Sequence, residues 1–136
     1  MPLYAISKIA NTIFAQELQR RLDAGGSDII STSVHPGGVS TDAALGIFAP
    51  ILKPLMQRGM YRAAQGAITP LFAATAKEVR QRRQEYAGRF LEPFGKIGKP
   101  HTILGNFEAI NALWEGTENE VGEYVSRNRL APLQPW

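Results

Sequence analysis

Tyr4 and Lys8 stand four residues apart in a run whose apolar spacing is helical. Four residues make about one turn of a helix, so the phenol and the ammonium share a face. An unperturbed tyrosine titrates near 10, too high for proton exchange at neutral pH. A cation within about 4–6 Å favours the phenolate and lowers that value. Lowering a pKa by one takes about 1.4 kcal/mol in favour of the ionised form. Lys8 together with a bound cationic cofactor would therefore bring Tyr4 into the range of a working general acid–base. Asn11, three residues further on, extends the same stripe. Taken alone, Tyr-x-x-x-Lys recurs by chance in many helices and identifies nothing.

The elements that must hold this pair are legible in outline. Leu3, Ile6, Ile9, Ala10, Ile13, Phe14, Leu18 and Leu22 recur every three to four residues, which predicts an amphipathic helix. Gly25-Gly26 ends it, as glycine past a helix C-terminus does. The β-branched run Asp28–Val34 then predicts a strand feeding the sharp loop His35-Pro36-Gly37-Gly38. With helices on both sides of it, a parallel strand in an α/β layer is the natural assignment. Pro50 and Pro54 break residues 40–60 into short apolar pieces. Such a segment reads equally as a flap over a ligand or as a packed irregular connection.

Helical spacing resumes over residues 61–85 through Ala64, Ile68, Leu71, Phe72 and Val79, with Pro70 as a kink or boundary. Residues 86–91 read as a second short strand, closed by Glu92-Pro93. A Gly/Pro/Lys-rich loop runs to about Asn106, and Phe107, Ile110, Leu113 and Trp114 mark a last helix. The stretch from Arg127 to Trp136 reads as irregular.

At 136 residues the length suits one domain of ordinary size. The absence of cysteine excludes a disulfide scaffold, a thiolate zinc site and a cysteine nucleophile. His35 and His101 are the only histidines, which argues against a multi-histidine metal site. The most apolar stretch, Ala43–Leu52, falls far short of the about 20 residues needed to cross a bilayer. No signal-peptide layout opens the sequence, so a cytoplasmic protein without a transmembrane segment is expected. A net charge of +3 does not imply nucleic-acid binding. The basic cluster Lys77, Arg80, Arg82, Arg83 and Arg89 has only Tyr86 and Phe90 beside it, too few aromatics for a nucleic-acid surface. Glu115, Glu118, Glu120 and Glu123 read as a solvated acidic face.

The context of the Tyr-Lys pair is more specific than the pair. Tyr4-Ala5-Ile6-Ser7-Lys8 continues into a helix, then a strand, then His35-Pro36-Gly37-Gly38-Val39-Ser40-Thr41. This resembles the C-terminal half of the short-chain dehydrogenase/reductase family, whose Y-x-x-x-K helix is followed by a strand and a P-G-x-V-x-T loop. The likeness covers residues 3–93, through Leu91-Glu92-Pro93.

The resemblance implies an NAD(P)-dependent oxidoreductase that interconverts an alcohol and a carbonyl by hydride transfer. In that frame Tyr4 is the acid–base, and Lys8 lowers its pKa and hydrogen-bonds the nicotinamide ribose. Pro36, Gly37 and Val39 bring backbone to the nicotinamide ring, and Thr41 offers a hydroxyl to the carboxamide or pyrophosphate. Residues 42–60 become the substrate-side flap, whose apolar content suits a lipophilic small-molecule substrate. His35 is expected to be structural.

The family's glycine-rich cofactor turn, which seats pyrophosphate on a helix N-terminus, is not found here. Its active-site serine and asparagine would precede Tyr4, and Asn11 follows the motif instead. The expected architecture is therefore an incomplete doubly wound Rossmann-type parallel sheet, helix-rich. Residues 1–136 would form the C-terminal catalytic and substrate part of one domain. Such a chain is expected to be inactive alone and to bind NAD or NADP weakly. A different class of function stays open, namely a non-catalytic remnant or interaction module that associates through an exposed apolar face. The Tyr4/Lys8 helix is also a candidate homo-oligomer interface.

Overall fold

In a computed structural model, residues 3–46, 49–99 and 106–132 are described. Helix α1 spans Leu3–Ala24. It stops where Gly26 turns left-handed, at φ 71°. There Ser27 N donates to Leu22 O at 2.9 Å and Gly26 N to Asp23 O at 3.1 Å, which satisfies the last carbonyls of the helix. The predicted strand over 28–34 shortens to β1, Ser33–Val34. Side chains take over the preceding backbone: Ser31 N donates to Gln19 Oε1 at 2.7 Å, and Arg83 Nη2 donates to Ser27 O at 3.1 Å.

The proline-broken segment forms α2 (Asp42–Leu45), a 3-10 turn (Pro50–Leu52) and α3 (Lys53–Arg58). Leu45 is buried, whereas Ile51, Leu52, Leu55 and Met56 are exposed. The predicted helical stretch 61–85 is four pieces: α4 (Ala63–Gly66), α5 (Ile68–Thr75), α6 (Lys77–Gln81) and α7 (Arg83–Tyr86). Pro70 sits in the first turn of α5 and has no N–H to offer Gly66 O, which separates α4 from α5. Ala76 (ψ 126°) and Arg82 (φ −108°, ψ 39°) leave helical geometry and make the other two breaks.

The second strand, β2, is Phe90–Glu92, shifted from the expected 86–91 because Tyr86 closes α7. The expected loop after it contains β3, Lys96–Ile97. The tight turn between them holds Phe94 at φ 66° and Gly95 at φ 78°. A Cβ on Gly95 would meet Phe72 Cδ1 at 2.5 Å.

The sheet order is β1-β2-β3. β1 pairs parallel with β2, Ser33 opposite Phe90 and Val34 opposite Leu91. β3 runs antiparallel to β2, so the small sheet is mixed rather than wholly parallel. The whole is a helix-rich α/β arrangement in keeping with part of a Rossmann-type fold. Val79, Tyr86 and Leu91 form its core, with Ile30, Phe72, Ala73 and Ala76 packed around them.

The last helix, α8, runs Phe107–Arg127, and Asn106 Oδ1 caps it by accepting from Ala109 N at 3.1 Å. It lies along α1, where Phe14 stacks on Trp114 at 5.1 Å between ring centres and the Arg21 guanidinium sits 4.3 Å from the Trp114 ring. The apolar face of α1 thus finds partial cover in α8, while Leu3 and Ile6 stay exposed. No helix among the described residues is long and apolar enough to cross a membrane.

Candidate active site

Tyr4 and Lys8 lie in the first turns of α1, with Lys8 Nζ 5.3 Å from the centre of the Tyr4 ring. Tyr4 is 72% exposed and has no hydrogen bond to its hydroxyl among the described residues. Its carbonyl accepts from Ser7 Oγ at 2.8 Å, a local bond that leaves the phenol free. The pair forms one wall of an open cleft of about 570 Å³. Asn11, Thr12 and Ala15 continue that wall along α1, and Thr32–Gly37 with Phe90 form the wall opposite. The pairing of Ser33 with Phe90 is what brings the β1 end to face the helix.

The loop after β1 is fixed by its own contacts. Gly37 adopts φ 84°, and a Cβ there would lie 2.6 Å from Tyr61 Cε2 and 3.0 Å from Pro93 Cγ. Its N–H donates to His35 Nδ1 at 3.0 Å, so the imidazole braces the turn, while His35 N donates to Leu91 O at 2.8 Å. His35 also lines the cleft. Gly37 has a reason to be glycine inside this chain, whatever ligand approaches it.

Val39 and Thr41 do not line the cleft. Val39 pairs with Tyr61 in an isolated parallel bridge and presses on Gly66, where a Cβ would meet Val39 Cγ2 at 2.5 Å. Thr41 caps α2, its Oγ1 accepting from Ala44 N at 3.2 Å. Of the six positions singled out in the sequence, Tyr4, Lys8, Pro36 and Gly37 come together. Val39 and Thr41 shape the loop behind them. The segment 42–60 contributes nothing to the cleft among its described residues. Thr32, Ser33 and Phe90 were missed as lining residues, because only the strand register places them there.

No group of His, Asp or Glu suited to a metal ion occurs among the described residues. The charged groups with displaced pKa values lie further along α1 and on α6–α7. Hydrogen bonds from Arg20 and Arg21 hold Glu17 below the ordinary carboxylate value. Those from Arg83 and Gln19 do the same for Asp23. Burial pushes the Tyr86 phenol up, helped by its bond to Glu78.

A short chain dehydrogenase/reductase of Macrophomina phaseolina is 40% identical to the chain over 118 residues, 87% of the chain and 58% of that protein. One from Gibberella zeae is 39% identical over 127 residues, 93% of the chain and 36% of that protein. The relatives of this chain are short-chain dehydrogenase/reductases. More distant is the human dehydrogenase/reductase SDR family member 13, 29% identical over 88% of the chain and 31% of its own length. The chain thus spans 58%, 36% and 31% of the length of these three relatives. No family model and no solved structure matches it. The names of these relatives agree with the resemblance carried by the chain's two motifs.

Proposed function

We propose that this chain is the C-terminal, substrate-handling part of an NAD(P)-dependent oxidoreductase that interconverts an alcohol and a carbonyl. The observation that carries the reading is the Tyr4–Lys8 pair facing the Pro36-Gly37 turn across one cleft.

The residues present fit the nicotinamide-ribose end of such a cofactor. A cation and a phenol line one wall, and a left-handed glycine without a Cβ turns the other. Lys8 would hold the ribose hydroxyls, and Pro36 and Gly37 would flank the ring, with Val39 and Thr41 fixing the course of their loop. When bound, the dinucleotide supplies or accepts the hydride. Tyr4 gives its hydroxyl proton to the carbonyl oxygen in reduction and takes it back in oxidation. The Lys8 ammonium stabilises the phenolate left behind. The cleft needs no group from the flap for this step.

The described residues contain no glycine-rich turn opening a helix, so the pyrophosphate end is assigned to sequence outside this chain. The test is a fluorescence titration with NADH and NADPH of this chain and of a form as long as its relatives. Saturable binding and carbonyl reduction by the longer form, with weak binding by the chain alone, is the expected result. A longer form that binds neither nucleotide overturns the reading.

The exposure of Leu3 (84%) and Ile6 (53%) on α1 favours a second reading, in which the chain is an association module working through that helix. Light scattering with Leu3→Ser and Ile6→Ser decides it. A dimer lost in these variants supports the module, and a monomer throughout removes it.

A further inference from the structure

Between Asp42 and Glu78 the sequence has no acidic residue, but it carries Lys53, Arg58, Arg62 and Lys77. The 3-10 turn runs directly into α3 in this stretch, through Leu52 and Lys53 in right-handed helical geometry. Ile51 and Leu55, and Leu52 and Met56, are therefore one-turn neighbours on a continuous helical surface. All four are exposed, Ile51 at 86% and Leu55 at 66%. None of Lys53, Arg58 and Arg62 takes part in an ion pair among the described residues.

Exposed aliphatic side chains with unpaired cations close by in the chain are what an interfacial helix presents to a bilayer. The apolar groups enter the boundary between headgroups and acyl chains, and the cations meet anionic headgroups. A protein partner would have to supply both an apolar surface and several acids in register; an anionic bilayer offers both at once over any area.

We propose that residues 49–62 dock this chain on the surface of anionic lipid bilayers. Ile51, Leu52, Leu55 and Met56 form the apolar insertion, and Lys53, Arg58 and Arg62 form the electrostatic contact. The surface lies outside the Tyr4–Lys8 cleft, and the proposal does not depend on the oxidoreductase reading.

Co-sedimentation of the purified chain with vesicles of phosphatidylserine and phosphatidylcholine tests it, with pure phosphatidylcholine vesicles as the comparison. The chain should pellet with the anionic vesicles, much less with the neutral ones, and be released by salt. Arg58→Ala should weaken the partitioning about fivefold, the scale of one basic residue near such a surface. Leu55→Ser should weaken it too, with an unchanged circular dichroism spectrum. Leu55→Trp should show a blue-shifted emission, over the background of Trp114 and Trp136, when anionic vesicles are added. Equal pelleting with both vesicle types overturns the proposal, as does partitioning that neither Arg58→Ala nor Leu55→Ser changes. So does a pelleted Leu55→Trp protein whose emission does not shift. A chain that stays in the supernatant and loses a dimer on Leu55→Ser would show that a second copy covers this surface instead.

Discussion

Gly37 shows how tightly a single position constrains the cleft wall. Its backbone is left-handed at φ 84°, and the Tyr61 ring and Pro93 occupy the space a side chain would need. A left-handed alanine costs about 1–2 kcal/mol and overpacking about 1–3 kcal/mol more, so Gly37→Ala should destabilise the chain by about 2–5 kcal/mol. Urea denaturation measures this. Adding Tyr61→Ala should recover part of the loss, since the two changes share one contact and cannot be additive. Tyr4 and Lys8, by contrast, are exposed and bear no packing load, so replacing them should leave stability nearly unchanged. The residues that could do chemistry were legible because their types and one-turn spacing are local. The reason for Gly37 was not, because Tyr61 and Pro93 reach it only through the fold.

Among the elements, α1 and α8 were legible from apolar spacing because each is long, but the face α1 buries was not, since it takes in Glu17 and Gln19 and leaves Leu3 and Ile6 exposed. The breaks at Ala76 and Arg82 were not, because alanine and arginine are good helix formers and only tertiary packing explains leaving the helix there. Strand β3 escaped for a similar reason. It is two residues long and depends on a turn that puts Phe94, not only Gly95, in left-handed geometry.

The join between α1 and β1 rests on a polar clamp rather than a ladder. Asp23 Oδ1 accepts from Gln19 Nε2 at 2.9 Å and from Arg83 Nη2 at 2.6 Å, and Arg83 also reaches Ser27 O. The clamp and the Glu17 pair both hold a carboxyl below its ordinary value, 3.8 for Asp23 and 4.5 for Glu17. The folded state therefore binds these protons less tightly than the unfolded chain does. The stability they contribute is full above those ordinary values and is lost as pH falls through the depressed ones. Thermal melts should show a falling midpoint from about pH 5 downward, and Asp23→Asn should flatten part of that fall. An unchanged slope in Asp23→Asn would remove the clamp from the acid response.

At the scale of the whole molecule, β1 pairs with β2 on one side, and no strand pairs its other edge among the described residues. Parallel strands are normally buried within larger sheets, and a doubly wound sheet would continue beyond that edge. The Tyr4–Lys8 cleft takes in His35, Pro36 and Gly37 just past the C-terminal end of β1, where ligands sit in such folds. The helix-rich α/β character was legible from element order, since a long helix, a short strand and a Pro-Gly loop follow one another in the sequence.

An acid–base centre and an association module diverge on what Tyr4 does, so turnover by the form as long as its relatives decides between them. Carbonyl reduction should be measured across pH for the unchanged protein, Tyr4→Phe and Lys8→Met. Tyr4→Phe should lower turnover by about 10²–10⁴-fold, the usual worth of a general acid–base, with cofactor binding retained. Lys8→Met should move the pH profile to higher values, because the phenolate loses its cation. Undiminished turnover by Tyr4→Phe would contradict the assignment outright.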